Sequence, residues 1–93
     1  MIASFKCKST KELWETGQSK KIPASLRRAA LRKLVLIDDS GELGDLKVPP
    51  GNRLEELKGN RSGQHSVRIN DQWRICFNWV GCDAHNVEIV DYH

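Results

Sequence analysis

The spacing of hydrophobic positions changes partway along this chain. Between Leu26 and Ile37 it is helical: Leu26, Ala30, Leu34 and Ile37 fall within an arc of about 80° at 100° per residue. Arg28 and Arg32 lie on the opposite side of that arc. From His65 onward the period is two. Val67 and Ile69 alternate with Ser66 and Arg68, and Trp73, Ile75, Phe77 and Trp79 alternate with Arg74, Cys76 and Asn78. The first pattern predicts an amphipathic helix with a basic outer face. The second predicts strands with one buried, aromatic face.

Turn and cap residues divide the rest. Met1 to Lys6 reads as a short strand. Ser9-Thr10-Lys11-Glu12 has capping-box spacing, with Ser9 as N-cap, and opens a short helix through Leu13 and Trp14 that ends near Gly17. Pro23 suits the first turn of the second helix, which closes around Asp38-Asp39-Ser40-Gly41. GELGDLKVPPGNR is a connection punctuated by Pro49-Pro50-Gly51. Leu54 to Leu57 opens a meander, Gly59 to Gly63 is a loop, and Asn70-Asp71-Gln72 and Gly81-Cys82-Asp83 are tight turns. Asn86 to Asp91 is the last strand. The predicted order is β-α-α-β-β-β-β. This is an α+β domain, with two N-terminal helices packed on one face of a mostly antiparallel sheet. Residues 1–93 form a single domain, without repeat or linker.

Composition narrows the class. At 39% hydrophobic and 29% charged, the chain is too apolar to be disordered. It has no apolar run near the roughly 20 residues that span a bilayer and no signal-peptide core, so a cytoplasmic location is expected. The three cysteines, Cys7, Cys76 and Cys82, are an odd number without a C-x-x-C pair. The histidines are scattered, so no metal site is expected. Net charge is +3. Between Ser19 and Lys33 every charged residue is basic, Asp38 to Asp45 is acidic, and Arg53, Lys58, Arg61, Arg68 and Arg74 recur beyond. With the aromatics beneath the helices, Arg68 and Arg74 are left on an open sheet face. A cationic face of that kind fits a nucleic acid.

The chain closes on Asp91, Tyr92 and His93. A bare triplet of this kind more often marks only the polar end of a strand. There is no G-x-S-x-G, P-loop or G-x-G-x-x-G to support serine hydrolysis or nucleotide binding. One metal-free chemistry does use Arg, Lys, Tyr and His: cleavage of RNA by its own 2′-hydroxyl. It needs a base for the 2′-OH proton, cations on the phosphoryl oxygens, and an acid for the departing 5′ oxygen. If Val87 and Ile89 face the helices, alternation puts Glu88, Val90 and Tyr92 on the side of Arg68 and Arg74.

The C-terminal half, PPGNRLEELKGNRSGQHSVRINDQWRICFNW and then VEIVDYH, closely resembles the HigB toxins of bacterial toxin–antitoxin systems, within the RelE/ParE superfamily. The resemblance extends to the opening IASFK and to PASLRRAALRKL. It is most specific in LKGNR-x-G-x-x-S-x-R-x-N-D-Q-W-R-I-x-F and the terminal DYH. It implies a RelE-like, microbial-RNase-like fold and a toxin that enters the ribosome and cuts mRNA in the decoding site without cofactor or metal. It further implies neutralisation by a HigA-type helix-turn-helix antitoxin and binding of operator DNA through the complex. In some members the terminal Asp-Tyr-His belongs to the active site, which maps here onto Asp91, Tyr92 and His93, exchanging or orienting protons. The cationic sheet face and the Gly59 loop add Arg74 on the phosphate and Lys58, Arg61 and Arg68 holding RNA backbone. The sequence departs from relatives that carry a histidine before the LKG loop. Here Leu54, Glu55 and Glu56 stand in that segment, and Glu55 or Glu56 could supply a carboxylate base. Two other readings stay open: a non-catalytic ParE-like gyrase poison, and an RNA-binding protein that perturbs ribosome assembly without cutting.

Overall fold

Two helices and then four strands follow one another in the computed structural model, which describes residues 1–91; the predicted leading strand is not among them. The helices are α1 (Lys8–Thr16) and α2 (Ala24–Asp39). The strands are β1 (Glu55–Glu56), β2 (Gln64–Arg68), β3 (Trp73–Val80) and β4 (Asp83–Asp91), antiparallel neighbours in the order β1-β2-β3-β4. Tyr92 and His93, two of the expected catalytic residues, lie outside the described residues.

The helical stripe of α2 is the one the periodicity predicts. Leu26, Ala30, Leu34 and Ile37 are buried, and Arg28 and Arg32 are exposed. They meet Val67, Ile75, Phe77, Ala84 and Val87 from the sheet and Leu13 from α1 in one apolar cluster. Phe77 is wholly buried, with Trp79 edge-on to it at 6.4 Å. Such a side chain contributes about 1.5–3 kcal/mol through burial. The connection between α2 and β1 is more ordered than its Pro and Gly content implies. Its 3-10 turns, Leu43–Lys47 and Pro50–Asn52, bring Leu46 into the core and bury Asn52.

Three local expectations are corrected. Ser9 is not the N-cap of α1. The cap is Cys7, with no side-chain capping bond, and the thiol lies against the hydroxyls of Ser9 (3.4 Å) and Thr10 (3.1 Å). Thr10 is drawn away from the box geometry because its hydroxyl also accepts the Ile89 N–H at 3.1 Å. Pro23 is the N-cap of α2 rather than its first helical residue. The N-terminal segment makes two isolated parallel bridges to β4, Ile2 with Ala84 and Phe5 with Val87, instead of a continuous strand. The outer edge of β4 is thus held in succession by the backbones of Ala3 and Lys6 and by the Thr10 hydroxyl. These contacts anchor the strand that leads to the chain's last residues.

Candidate active site

Arg74 organises the polar face of the sheet. Strand alternation sets it opposite Arg68 on β2 and Val90 on β4. It is only 6% exposed, so it is not the open surface cation that alternation alone predicts. The chain around Arg53 and Glu55 closes over it. Arg74 Nε donates to Ser66 Oγ at 2.7 Å, and Nη2 donates to the Arg53 carbonyl at 2.6 Å. Glu55 Oε1 stands 3.9 Å from Arg74 Nη1.

The Arg53 carbonyl is put in place by local backbone geometry. Arg53 has φ 45°, a left-handed conformation that few residues other than glycine adopt without support. Asn52 supplies that support. Its wholly buried amide donates to the carbonyls of Leu46 and Val48, both at 3.2 Å, and its oxygen accepts from the Lys33 ammonium. Burial, with the charges of Arg32 and Arg68, holds the Lys33 pKa below its usual value.

The two candidate carboxylates separate by register. Glu55 pairs with Ser66 and so shares the face of Arg74. Glu56 pairs with His65, which lies on the Phe77 side of the sheet. Glu55, half-exposed beside a buried guanidinium, therefore combines a proton acceptor with a fixed positive charge.

The remaining cations differ in setting. Arg68 is paired with Asp71 in the hairpin turn. Lys58 is exposed and precedes a 3-10 turn, Gly59–Arg61. Arg61 Nη1 lies 2.9 Å from Glu88 Oε1 and 3.1 Å from Gln64 Oε1, and Lys6 Nζ is 3.9 Å from the same glutamate oxygen. Beneath them the Cys76 thiol is wholly buried, and that burial pushes its pKa up. Asp91 takes two bonds from Gln72 Nε2, each 3.1 Å, and pairs with Trp73, so it has the opposite parity to Arg74. The structure thus gathers Arg74 and Glu55 with Arg61 and Arg68 on one face and sets Asp91 at the end of β4.

Sequence reasoning missed Ser66, Asn52 and the Arg53 carbonyl. Alternation does assign Ser66 to the Arg74 face. No pattern marks a buried asparagine in a loop. Among the described residues, no group of three or more His, Cys, Asp or Glu side chains could hold a metal ion.

Comparison with known proteins gives a consistent picture. The family model for a RelE-like toxin of type II toxin–antitoxin system HigB matches residues 3–93. The chain is similar to "Toxin HigB-1" of Vibrio cholerae serotype O1, 41% identical over 81 residues, covering 86% of this chain and 85% of that protein. It is also similar to "Endoribonuclease HigB" of Proteus vulgaris, 37% identical over 93 residues and the full length of both chains. The toxin chain of a YoeB-YefM complex from Staphylococcus aureus shares the fold, with TM-score 0.62 and 17% identity over 100% of this chain and 98% of that one.

Proposed function

The chain belongs to the HigB-like family of RelE-like toxins of type II toxin–antitoxin systems, and from that premise we propose that it is an endoribonuclease that cuts mRNA on the ribosome and so arrests translation. The name of the Proteus vulgaris relative supports the activity. The observation that carries the reading is the buried Arg74 guanidinium, fixed by Ser66 and Arg53, with the Glu55 carboxylate 3.9 Å away.

The proton and charge requirements of 2′-OH attack map onto these groups. Glu55 accepts the 2′-hydroxyl proton, taking the place of the histidine found in some relatives. The 2′ oxygen bonds to phosphorus, and the P–O5′ bond breaks. Charge grows on the phosphoryl oxygens, where a preorganised cation is worth most. That cation is Arg74. His93 or Tyr92 protonates the leaving 5′ oxygen, and Asp91, held by Gln72, orients or tunes its neighbour. Lys58, Arg61 and Arg68 receive the RNA backbone. The products are a 2′,3′-cyclic phosphate and a 5′-hydroxyl. RNA is the required substrate because DNA lacks the nucleophile. No step calls for a metal or cofactor.

The partner of this reading is an antitoxin of the HigA type, a helix-turn-helix protein, with operator DNA bound through the complex. The solved YoeB-YefM complex supports an antitoxin partner. The toxin works in the bacterial cytoplasm, where ribosome-bound mRNA is found. Primer extension on mRNA translated in the presence of the protein tests the reading. Cuts inside codons that require active translation are expected. Intact mRNA at a growth-arresting dose, or DNA breaks with translation preserved, would overturn it in favour of a gyrase poison.

A further inference from the structure

Further along the polar face from Arg74 lies a cavity of about 380 Å³, lined by Lys6, Asn60, Arg61, Ser62, Gln64 and Asn78. Its lining includes the Gln64–Asn78 pair, which on this face is one step beyond Ser66–Cys76 and two beyond Arg68–Arg74 along the ladder. At about 3.3 Å per residue, Asn78 is about 13 Å along β3 from Arg74. Resting on the nuclease reading above, we propose that this cavity is a nucleobase subsite that reads the hydrogen-bonding edge of a base flanking the scissile phosphate.

The argument starts from the amides. Arg61 Nη1 donates to Gln64 Oε1 at 3.1 Å, and Gln64 Nε2 donates to Asn78 Oδ1 at 3.4 Å. Asn86 Nδ2 donates to the same Asn78 oxygen at 3.1 Å, and Asn78 Nδ2 donates to the Gly63 carbonyl at 3.3 Å. A side-chain amide carries two N–H protons and two oxygen lone pairs. These bonds therefore leave Gln64 one donor and one acceptor side by side, and leave Asn78 a second proton. Adjacent donor and acceptor groups match the edge of a base.

The same groups suit a phosphate poorly. A phosphate needs donors only, and three of the lining residues, Asn60, Gln64 and Asn78, carry amide oxygens that only accept. Glu88, at 2.9 Å from Arg61 and 3.9 Å from Lys6, offsets part of the positive charge on the cavity side of these two cations. The backbone adds a second, independent observation. The register of β4 shifts opposite Cys76–Asn78, and Asn86 there has φ 55°. Bulges of this kind re-aim side chains beside functional sites. This one sets the Asn86 amide against Asn78 and locks the orientation of the Asn78 oxygen.

The test follows the side-chain amide signals of Gln64 and Asn78 by NMR in the full chain, titrated with the four ribonucleoside 3′-monophosphates and with inorganic phosphate. At least one nucleotide should move both signals where inorganic phosphate does not. Gln64→Glu, which keeps the shape and loses the donor, should weaken that nucleotide about tenfold. Gln64 is nearly buried, so Asn78→Asp on the half-exposed partner provides a second reading of the same edge. Shifts reproduced by inorganic phosphate, or confined to Lys6 and Arg61, would overturn the proposal. So would an unchanged distribution of mRNA cuts in both variants while the wild type still cleaves. Base-dependent shifts from a wild type that does not cleave would uphold the cavity and remove the nuclease reading instead.

Discussion

The two faces of this sheet come from one alternating sequence and are held together by different physics. On the helix side, Ile75, Phe77, Val67 and Val87 pack against Leu34 and Ile37 of α2, and the stabilisation is area removed from water. On the other side, Ser66, Arg74 and Cys76 are as deeply buried, but Arg74 depends on named partners at defined distances. The apolar face tolerates other hydrophobic side chains of similar volume and shape. The polar face tolerates little, because a buried charge that loses a partner bears the desolvation cost alone. One face sets whether the chain folds, and the other holds the groups that the proposed function uses.

Four substitutions or treatments would break or sharpen that contrast. Phe77→Ala removes the largest buried side chain of the apolar face and should cost about 3–5 kcal/mol. That is a large share of the stability of a domain this size. Thermal unfolding should register it, while cleavage per folded molecule changes little. Arg74→Lys keeps the charge and loses the planar fork that binds Ser66 and Arg53. Cleavage should fall about 10²–10³-fold, with a smaller loss in melting temperature. Equal losses of stability and cleavage in both variants would erase the distinction between the faces.

Asn52→Ala should cost about 1–3 kcal/mol, because the carbonyls of Leu46 and Val48 and the Lys33 ammonium lose a buried partner. It should also depress cleavage by releasing the Arg53 carbonyl, which a kinetic assay on the purified variant would detect. The smallest effect is in the thiols. Burial raises the Cys7 pKa, but bonds from Ser9 and Thr10 outweigh it and the net shift is downward; burial shifts Cys76 upward. Only the thiolate reacts. Alkylation from about pH 6 to about pH 9 should therefore modify Cys7 at lower pH than Cys76, which should react only on unfolding. The upward shift also has a stability sign. The unfolded Cys76 loses its proton first as pH rises, so its contribution to stability is complete below the ordinary thiol range and declines above it.

Periodicity reveals some features of this chain and leaves others hidden. The α2 stripe and the β3 aromatics are legible because they repeat, and the repeat is itself what builds the core. The tight turns are legible because Asn70 accepts from the N–H groups of Gln72 and Trp73, a bond that asparagine favours in any context. The burial of Arg74 is not legible. Alternation assigns its face but says nothing of the connection that folds over it, and that fold rests on Asn52 and one left-handed residue. The choice between Glu55 and Glu56 is likewise a matter of register, set by a two-residue strand too short to show a period. The capping box at Ser9 failed because Thr10 is bonded to β4, a contact 79 residues away in sequence.

The central claim is that Glu55 and Arg74 together perform the chemistry, and Glu55→Gln tests it most directly. The substitution keeps size and removes the proton acceptor at a half-exposed position, so folding should hardly change. The single-turnover rate of cleavage of ribosome-bound mRNA should fall about 10²–10⁴-fold relative to wild type, with an unchanged melting temperature. Glu56→Gln, on the other face, should cleave at the wild-type rate. Full cleavage by Glu55→Gln would contradict the account.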